Sequence, residues 1–117
     1  MSDRRINCEK LNQGTILVNP EQTLDNNNAH EMIEILSKAA EDKIKHVIID
    51  MEWLEFISSA GVGSILGMIE SFREVGGDII LCNVPDNIMH VFDVLDLRDF
   101  LTIKSNKQTA AADCGIA

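Results

Sequence analysis

His46-Val47-Ile48-Ile49-Asp50 is a five-residue stretch with no polar side chain in its centre, and its reading decides the fold. A strand with one wet face alternates apolar and polar residues. A run that is apolar at both parities has to be buried on both faces, as happens in the middle of a parallel sheet covered by helices. Asp78-Ile79-Ile80-Leu81-Cys82 repeats the pattern. Between the two runs Val62, Ile65, Leu66, Ile69 and Phe72 recur at helical spacing, and Gly76-Gly77 supply a stop. Strand, helix and strand in this order form a β-α-β unit.

Working outward, Ala29, Met32, Ile33, Leu36 and Ala40 mark a first helix ending near Asp42, with Asp25 to Asn28 offering caps. Before it, Ile6 to Leu11 and Thr15 to Asn19 read as a hairpin around Asn12-Gln13-Gly14, with Pro20 ending the second strand. Downstream, Asn83-Val84-Pro85-Asp86 opens a third helix bearing Ile88, Val91, Phe92 and Leu95 on one face, and Phe100 to Ile103 forms a short strand. The expected order is β-β-α-β-α-β-α-β with a short C-terminal helix, an α/β fold in which helices pack on a mixed sheet. Met51 to Ile57 reads as a connection. Residues 1–104 make the domain and residues 105–117 a C-terminal helix or tail of the same domain.

The chain has 117 residues, 45% of them hydrophobic, enough for one core. With 19 acidic against 10 basic residues the formal charge is −9, which disfavours nucleic acid and anionic lipid as direct partners. No apolar stretch approaches the roughly 20 residues that span a bilayer. Met1-Ser2-Asp3-Arg4-Arg5 leads into polar sequence rather than a signal peptide, so the expected location is cytoplasmic. Cys8, Cys82 and Cys114 fit neither a disulfide framework nor a zinc site and read as reduced thiols.

The most unusual stretch is Phe56-Ile57-Ser58-Ser59-Ala60-Gly61-Val62-Gly63-Ser64, between the central strand and the second helix. Ligands and chemistry of α/β folds gather at this end of a strand, and a helix N-terminus favours an anion. A serine there caps the helix, binds phosphate or receives it. Capping alone is a sufficient reason for Ser. A nucleotide cradle is disfavoured because Gly61-x-Gly63 is followed by Leu66, Gly67 falls one place late and no P-loop lysine follows. A hydrolase would need a base, and sequence fixes none of His30, His46 and His90 near Ser59; the G-x-S-x-G elbow is absent. His30 and Glu34 share a helix face, but nothing completes a metal set. The Gly61, Gly63 and Gly67 trio reads as a close helix–sheet approach, and Trp53 as a core or edge plug.

Ile57-Ser58-Ser59-Ala60-Gly61-Val62-Gly63 resembles the D-S-[ST]-G-[LIV]-G segment of STAS domains, specifically bacterial anti-sigma factor antagonists. Leu24-Asp25 before the first helix, Gly76-Gly77 before a strand ending in Cys82, Val91-Phe92-Asp93 and Leu97 fall in that family's order and spacing, so the resemblance covers most of the chain. Aligned on Gly61, Ser58 stands where the family has Asp, and Ala60 where it has a second Ser or Thr. The resemblance implies a non-enzymatic switch. Ser59 would accept phosphate from an anti-sigma factor with serine kinase activity, and a phosphatase would restore the unmodified form, which frees a sigma factor. ATP would belong to the kinase, with no cofactor in this chain. Ser58 and Gly61 would shape the helix entrance, while Asp25, Ala60 and Val62 would contribute to the docking edge. Ile57 and Met68 are further apolar contacts of that region. The alternative is a STAS-type scaffold or regulatory subunit of a transporter or signalling complex without a phosphorylation cycle.

Two physical expectations accompany this reading. A phosphate would add about −1.5 to −2 charges beside Glu52 and Glu55, and the helix dipole would let the domain stay folded while its surface changed. Asp25 should stand on the same sheet edge as Ser59, because both follow strand ends.

Overall fold

The computed structural model describes residues 5–115, with Arg5 as backbone only. In chain order the elements are β1 (Arg5–Asn12), β2 (Thr15–Leu24), α1 (Ala29–Glu41), β3 (His46–Asp50), β4 (Leu54–Ile57), α2 (Ser59–Arg73), β5 (Asp78–Cys82), α3 (Asp86–Val94), β6 (Thr102–Lys104) and α4 (Lys107–Asp113). The sheet runs β1-β2-β3-β5-β6, antiparallel between β1 and β2 and parallel elsewhere, and β4 adds to β2 in parallel. This is the mixed α/β architecture expected, with one more strand.

The two apolar runs are the sheet centre, in register from His46 opposite Asp78 to Asp50 opposite Cys82. Their parities point to different cores. Val47, Ile49, Ile79 and Leu81 join Met32, Leu36, Ile65, Ile69, Phe72 and Phe92 under the larger helices. Ile48, Ile80 and Cys82 join Leu17 and Ala110, the residue through which α4 covers the opposite face. The tail is thus a lid on the second core, and Asn106 caps it by accepting the Thr109 N–H at 2.8 Å. Residues 116 and 117 of the expected tail lie outside the described residues.

Four expectations need correction. Pro20 does not end β2, which continues to Leu24. Gly14 and Gln22 make their backbone bonds on the β3/β4 edge, and Pro20 has the same parity. The β3 register stops at Val18 and that of β4 begins at Gln22, so the absent proline N–H falls between two partners, where no ladder bond is lost. Leu54–Ile57 is a strand rather than part of a connection. It buries its first and last residues and exposes Glu55 and Phe56, so it lacks the alternation that identifies a strand. The last strand begins at Thr102, not Phe100, because the Phe100 carbonyl accepts from Arg73 at 2.7 Å and its ring lies 4.8 Å from that guanidinium. Leu95 does not continue the buried face of α3: it is the C-cap and 49% exposed.

The helix ends share one device. After α1 the Lys43 and Ile44 N–H groups return to the Ala40 and Ala39 carbonyls, and after α3 Asp96 and Leu97 return to Asp93 and Phe92. Each is a Schellman closure with a left-handed residue, Lys43 at φ 65 and Asp96 at φ 57. The other two close with glycine, α2 with Gly76 at φ 84 and α4 with Gly115 at φ 78.

The next residue, Gly77, lies where β5 enters beside β3, and a Cβ there would collide with the Lys45 carbonyl that accepts the Asp78 N–H. Gly67, within α2, faces open space. Gly77→Ala is therefore expected to destabilise the domain by about 2 kcal/mol or more, whereas Gly67→Ala stabilises it by about 0.5–1 kcal/mol through helix propensity. Urea denaturation of both variants against the parent checks the opposite signs.

Candidate functional site

β2 and β4 end side by side, Leu24 opposite Ile57, and each chain then turns into a helix. The Leu24 carbonyl accepts the Ser58 N–H at 3.0 Å. A Cβ on Gly61 would strike that carbonyl and lie 2.9 Å from Ile57 Cγ1. Gly61 is thus the glycine of the trio that the close approach requires; Gly63 and Gly67 have open space. This contact sets α2 against the end of β2 and brings Asp25 to the same edge as Ser58 and Ser59.

The two serines have different roles. Ser58 is the N-cap of α2: its backbone is extended and its Oγ accepts the Gly61 N–H at 3.2 Å, while its hydroxyl donates to Asn26 Oδ1 at 3.4 Å. Asp and Ser are equivalent in this capping role, which is the physical sense of Ser58 where the motif has Asp. Ser59 is the first helical residue, exposed, and its hydroxyl has no partner among the described residues. The Ser59 and Ala60 N–H groups, in the first turn, likewise have no protein acceptor among the described residues, the positive end of the helix.

Asp25 is half-buried and structures the neighbouring turn. Its Oδ1 accepts the Asn27 N–H at 2.9 Å, and its carbonyl accepts from Asn28 and Ala29. Asn28 holds the N-cap position of α1 without capping it. Its buried side chain accepts from Asp25 N and donates to the Thr23 carbonyl, each at 2.9 Å. Ala60 is half-buried at the surface. Val62 is 4% exposed and faces the core, so it supports α2 from beneath rather than offering a docking contact; Gly61 and Ile57 are buried as well. Met68 is half-buried, its sulfur accepting from the Ser37 hydroxyl.

Apart from Ile57, the apolar surface beside Ser59 comes from residues that sequence reading did not assign to the site. A groove of about 430 Å3 runs between β4 and α3, flanked by Ser58 and Ser59 on one side and by His90, Val94 and Leu95 on the other. Phe56 is 53% exposed within it, and Val94 69%. Asn87 anchors the far wall, donating to the Glu55 carbonyl at 2.8 Å. Asn26, which receives the Ser58 hydroxyl, was also missed. The available signal was Val94-Leu95, two apolar residues past the last core position of α3. His90 is the imidazole that the fold brings to this groove. Trp53 is no core plug: it is 61% exposed, ahead of β4. Among the described residues no cluster of three or more His, Cys, Asp or Glu is disposed to hold a metal, and no helix is long and apolar enough to cross a membrane.

This arrangement, a capped helix start with a free serine hydroxyl beside an apolar groove, can be set against known proteins. The chain is 22% identical to the anti-sigma F factor antagonist of Paenibacillus polymyxa over 102 residues, covering 86% of this chain and 87% of that one. Its fold is similar to the anti-sigma factor antagonist SpoIIAA in its unphosphorylated form, with a TM-score of 0.83, 23% identity and coverage of 97% of this chain and 99% of the other. It is similar also to the phosphorylated form of the Bacillus cell fate determinant SpoIIAA, with a TM-score of 0.75, 22% identity and coverage of 94% and 99%. Residues 9–110 match the STAS domain as a family, nearly the whole length, and the chain belongs to that family.

Proposed function

We propose that this STAS domain is an anti-sigma factor antagonist: unmodified, it holds an anti-sigma factor of the serine kinase type and so frees a sigma factor; phosphorylated on Ser59, it releases its partner. The carrying observation is the division of labour between the two serines. Ser58 is committed to the cap, whereas Ser59 presents an exposed, unengaged hydroxyl on the rim of the groove. That is what a kinase needs of an acceptor. ATP is the kinase's substrate, a phosphatase resets the switch, and this chain performs no catalysis. That SpoIIAA has been observed both with and without phosphate supports the reading.

The physics of the switch follows from the setting. A phosphate on Ser59 adds about −1.5 to −2 charges at the positive end of α2, so the fold tolerates it. The groove beside it is largely apolar, lined by Phe56, Val91, Val94 and Leu95 with His90 as its one titratable residue. A partner surface closing over Phe56, Val94 and Leu95 would have to bury the dianion, and desolvating an unpaired charge costs several kcal/mol. Binding is lost without unfolding.

Incubation with the cognate kinase and ATP followed by mass spectrometry is expected to find one phosphate, on Ser59; no modification, with binding of the partner retained, would instead favour the scaffold reading. Ser59→Asp should weaken partner binding at least about tenfold, roughly 1.4 kcal/mol, and Ser59→Ala should bind but resist the switch, both by calorimetry. Val94→Glu should weaken binding similarly while leaving the melting temperature unchanged. Thermal unfolding separates the serines: Ser58→Ala loses about 0.5–2 kcal/mol with its cap, and Ser59→Ala stays within about 0.5 kcal/mol of the parent.

A further inference from the structure

On the sheet face opposite the main helices, α4 covers chiefly β3, β5 and β6. Beyond its edge a second cavity of about 220 Å3 opens over β1 and β2, floored by Leu17 and Asn19 and closed at one side by Lys107. Its lining is polar. Asp50, at the end of β3 and only 6% exposed, is the most deeply placed charge. Its Oδ1 accepts the Glu52 N–H at 3.0 Å and Asn83 Nδ2 at 3.1 Å; no donor among the described residues reaches Oδ2. Its carbonyl accepts Asn19 Nδ2 at 2.7 Å, and Asn19 Oδ1 has no partner among the described residues. Glu9 and Glu52 contribute two exposed carboxylates with no ion pair among the described residues.

Among the described residues acceptors therefore outnumber donors, and three carboxylates face one ammonium. These charges act over a common space. The Cys82 thiol, in register with Asp50, is pushed up to about 12 by burial first and then by Asp50, with Lys107 drawing it down and Glu52 raising it further. The carboxylates do not converge on a point as metal ligands must, since no metal-holding group exists among the described residues. Acceptors spread around a small cavity suit instead a flat cation whose N–H donors diverge. Trp53, 61% exposed at the same cavity, adds an indole on which such a cation can stack.

We propose that this cavity binds a guanidinium group, with Asp50 Oδ2, Asn19 Oδ1 and the Glu9 and Glu52 carboxylates as its acceptors and Trp53 as its stacking surface. The site is independent of Ser59 and of phosphorylation. The chain has a single Trp, so its fluorescence reports on Trp53 alone. Titration of the full chain with agmatine is expected to give a saturable change that sodium chloride of equal ionic strength does not reproduce. Glu52→Gln, at an exposed position, should weaken this binding about tenfold, and Asp50→Asn should weaken it at least as much provided its circular dichroism matches the parent. Tighter saturation by agmatine than by a blocked Gly-Arg-Gly peptide assigns a small-molecule ligand, and the reverse order a protein side chain. A linear change, a change matched by sodium chloride, or unaltered binding in Glu52→Gln would overturn the assignment.

Discussion

The close contact between the end of β2 and the start of α2 is the constraint on which the rest of the molecule depends. The Leu24 carbonyl accepts the Ser58 N–H, and Gly61 leaves the space into which that carbonyl projects. Any side chain at position 61 would lift α2 away from the sheet. With α2 seated, Val62, Ile65, Ile69 and Phe72 reach the core, Asn26 lies against Ser58, and Ser59 is left facing outward. One backbone hydrogen bond over one glycine thus fixes both the packing of the longest helix and the geometry of the candidate site.

The same economy governs the charges. Capping by Ser58 satisfies an N–H of the first turn with a neutral oxygen, so the positive end of the helix stays available to an added anion at Ser59. The acidic character of the chain, −9 overall, is concentrated neither in the groove beside Ser59 nor in the core. On the proposed function, apolar contact and charge repulsion would alternate at that groove according to the state of one hydroxyl. On the opposite sheet face the balance is reversed, and carboxylates line a cavity with an aromatic side chain at its edge.

Much of this was legible in sequence because it rests on periodicity. The doubly buried strands His46–Asp50 and Asp78–Cys82 and the helical stripe from Val62 to Phe72 appear where their patterns place them. Illegible features are those in which partners, rather than pattern, decide. β4 has four residues and is held by β2, not by alternation. Pro20 is tolerated because two neighbouring strands happen to leave a gap at its position. Two helix ends lack the glycine that announces a stop, since Lys43 and Asp96 adopt the left-handed conformation themselves. At the site, Ser59 and Asp25 were placed correctly on one edge. Val62, chosen as a surface contact, proved to be buried, whereas Phe56, Val94 and Leu95 required the packing of α3 on β4 to be recognised.

The gap at Pro20 also has a mechanical meaning. β2 gives Thr15 to Val18 to β3 and Gln22 to Leu24 to β4, with a register irregularity inside the second set. The two ladders are consequently separate hydrogen-bonded stretches sharing one strand. The β4 ladder holds only three residue pairs and ends at the gap, while Leu54 and Ile57 tie the strand into the core shared by Val47 and Ile49, and Asn87 ties it to α3. The candidate edge is thus joined to the rest of the sheet through side-chain packing rather than through a continuous ladder of backbone bonds.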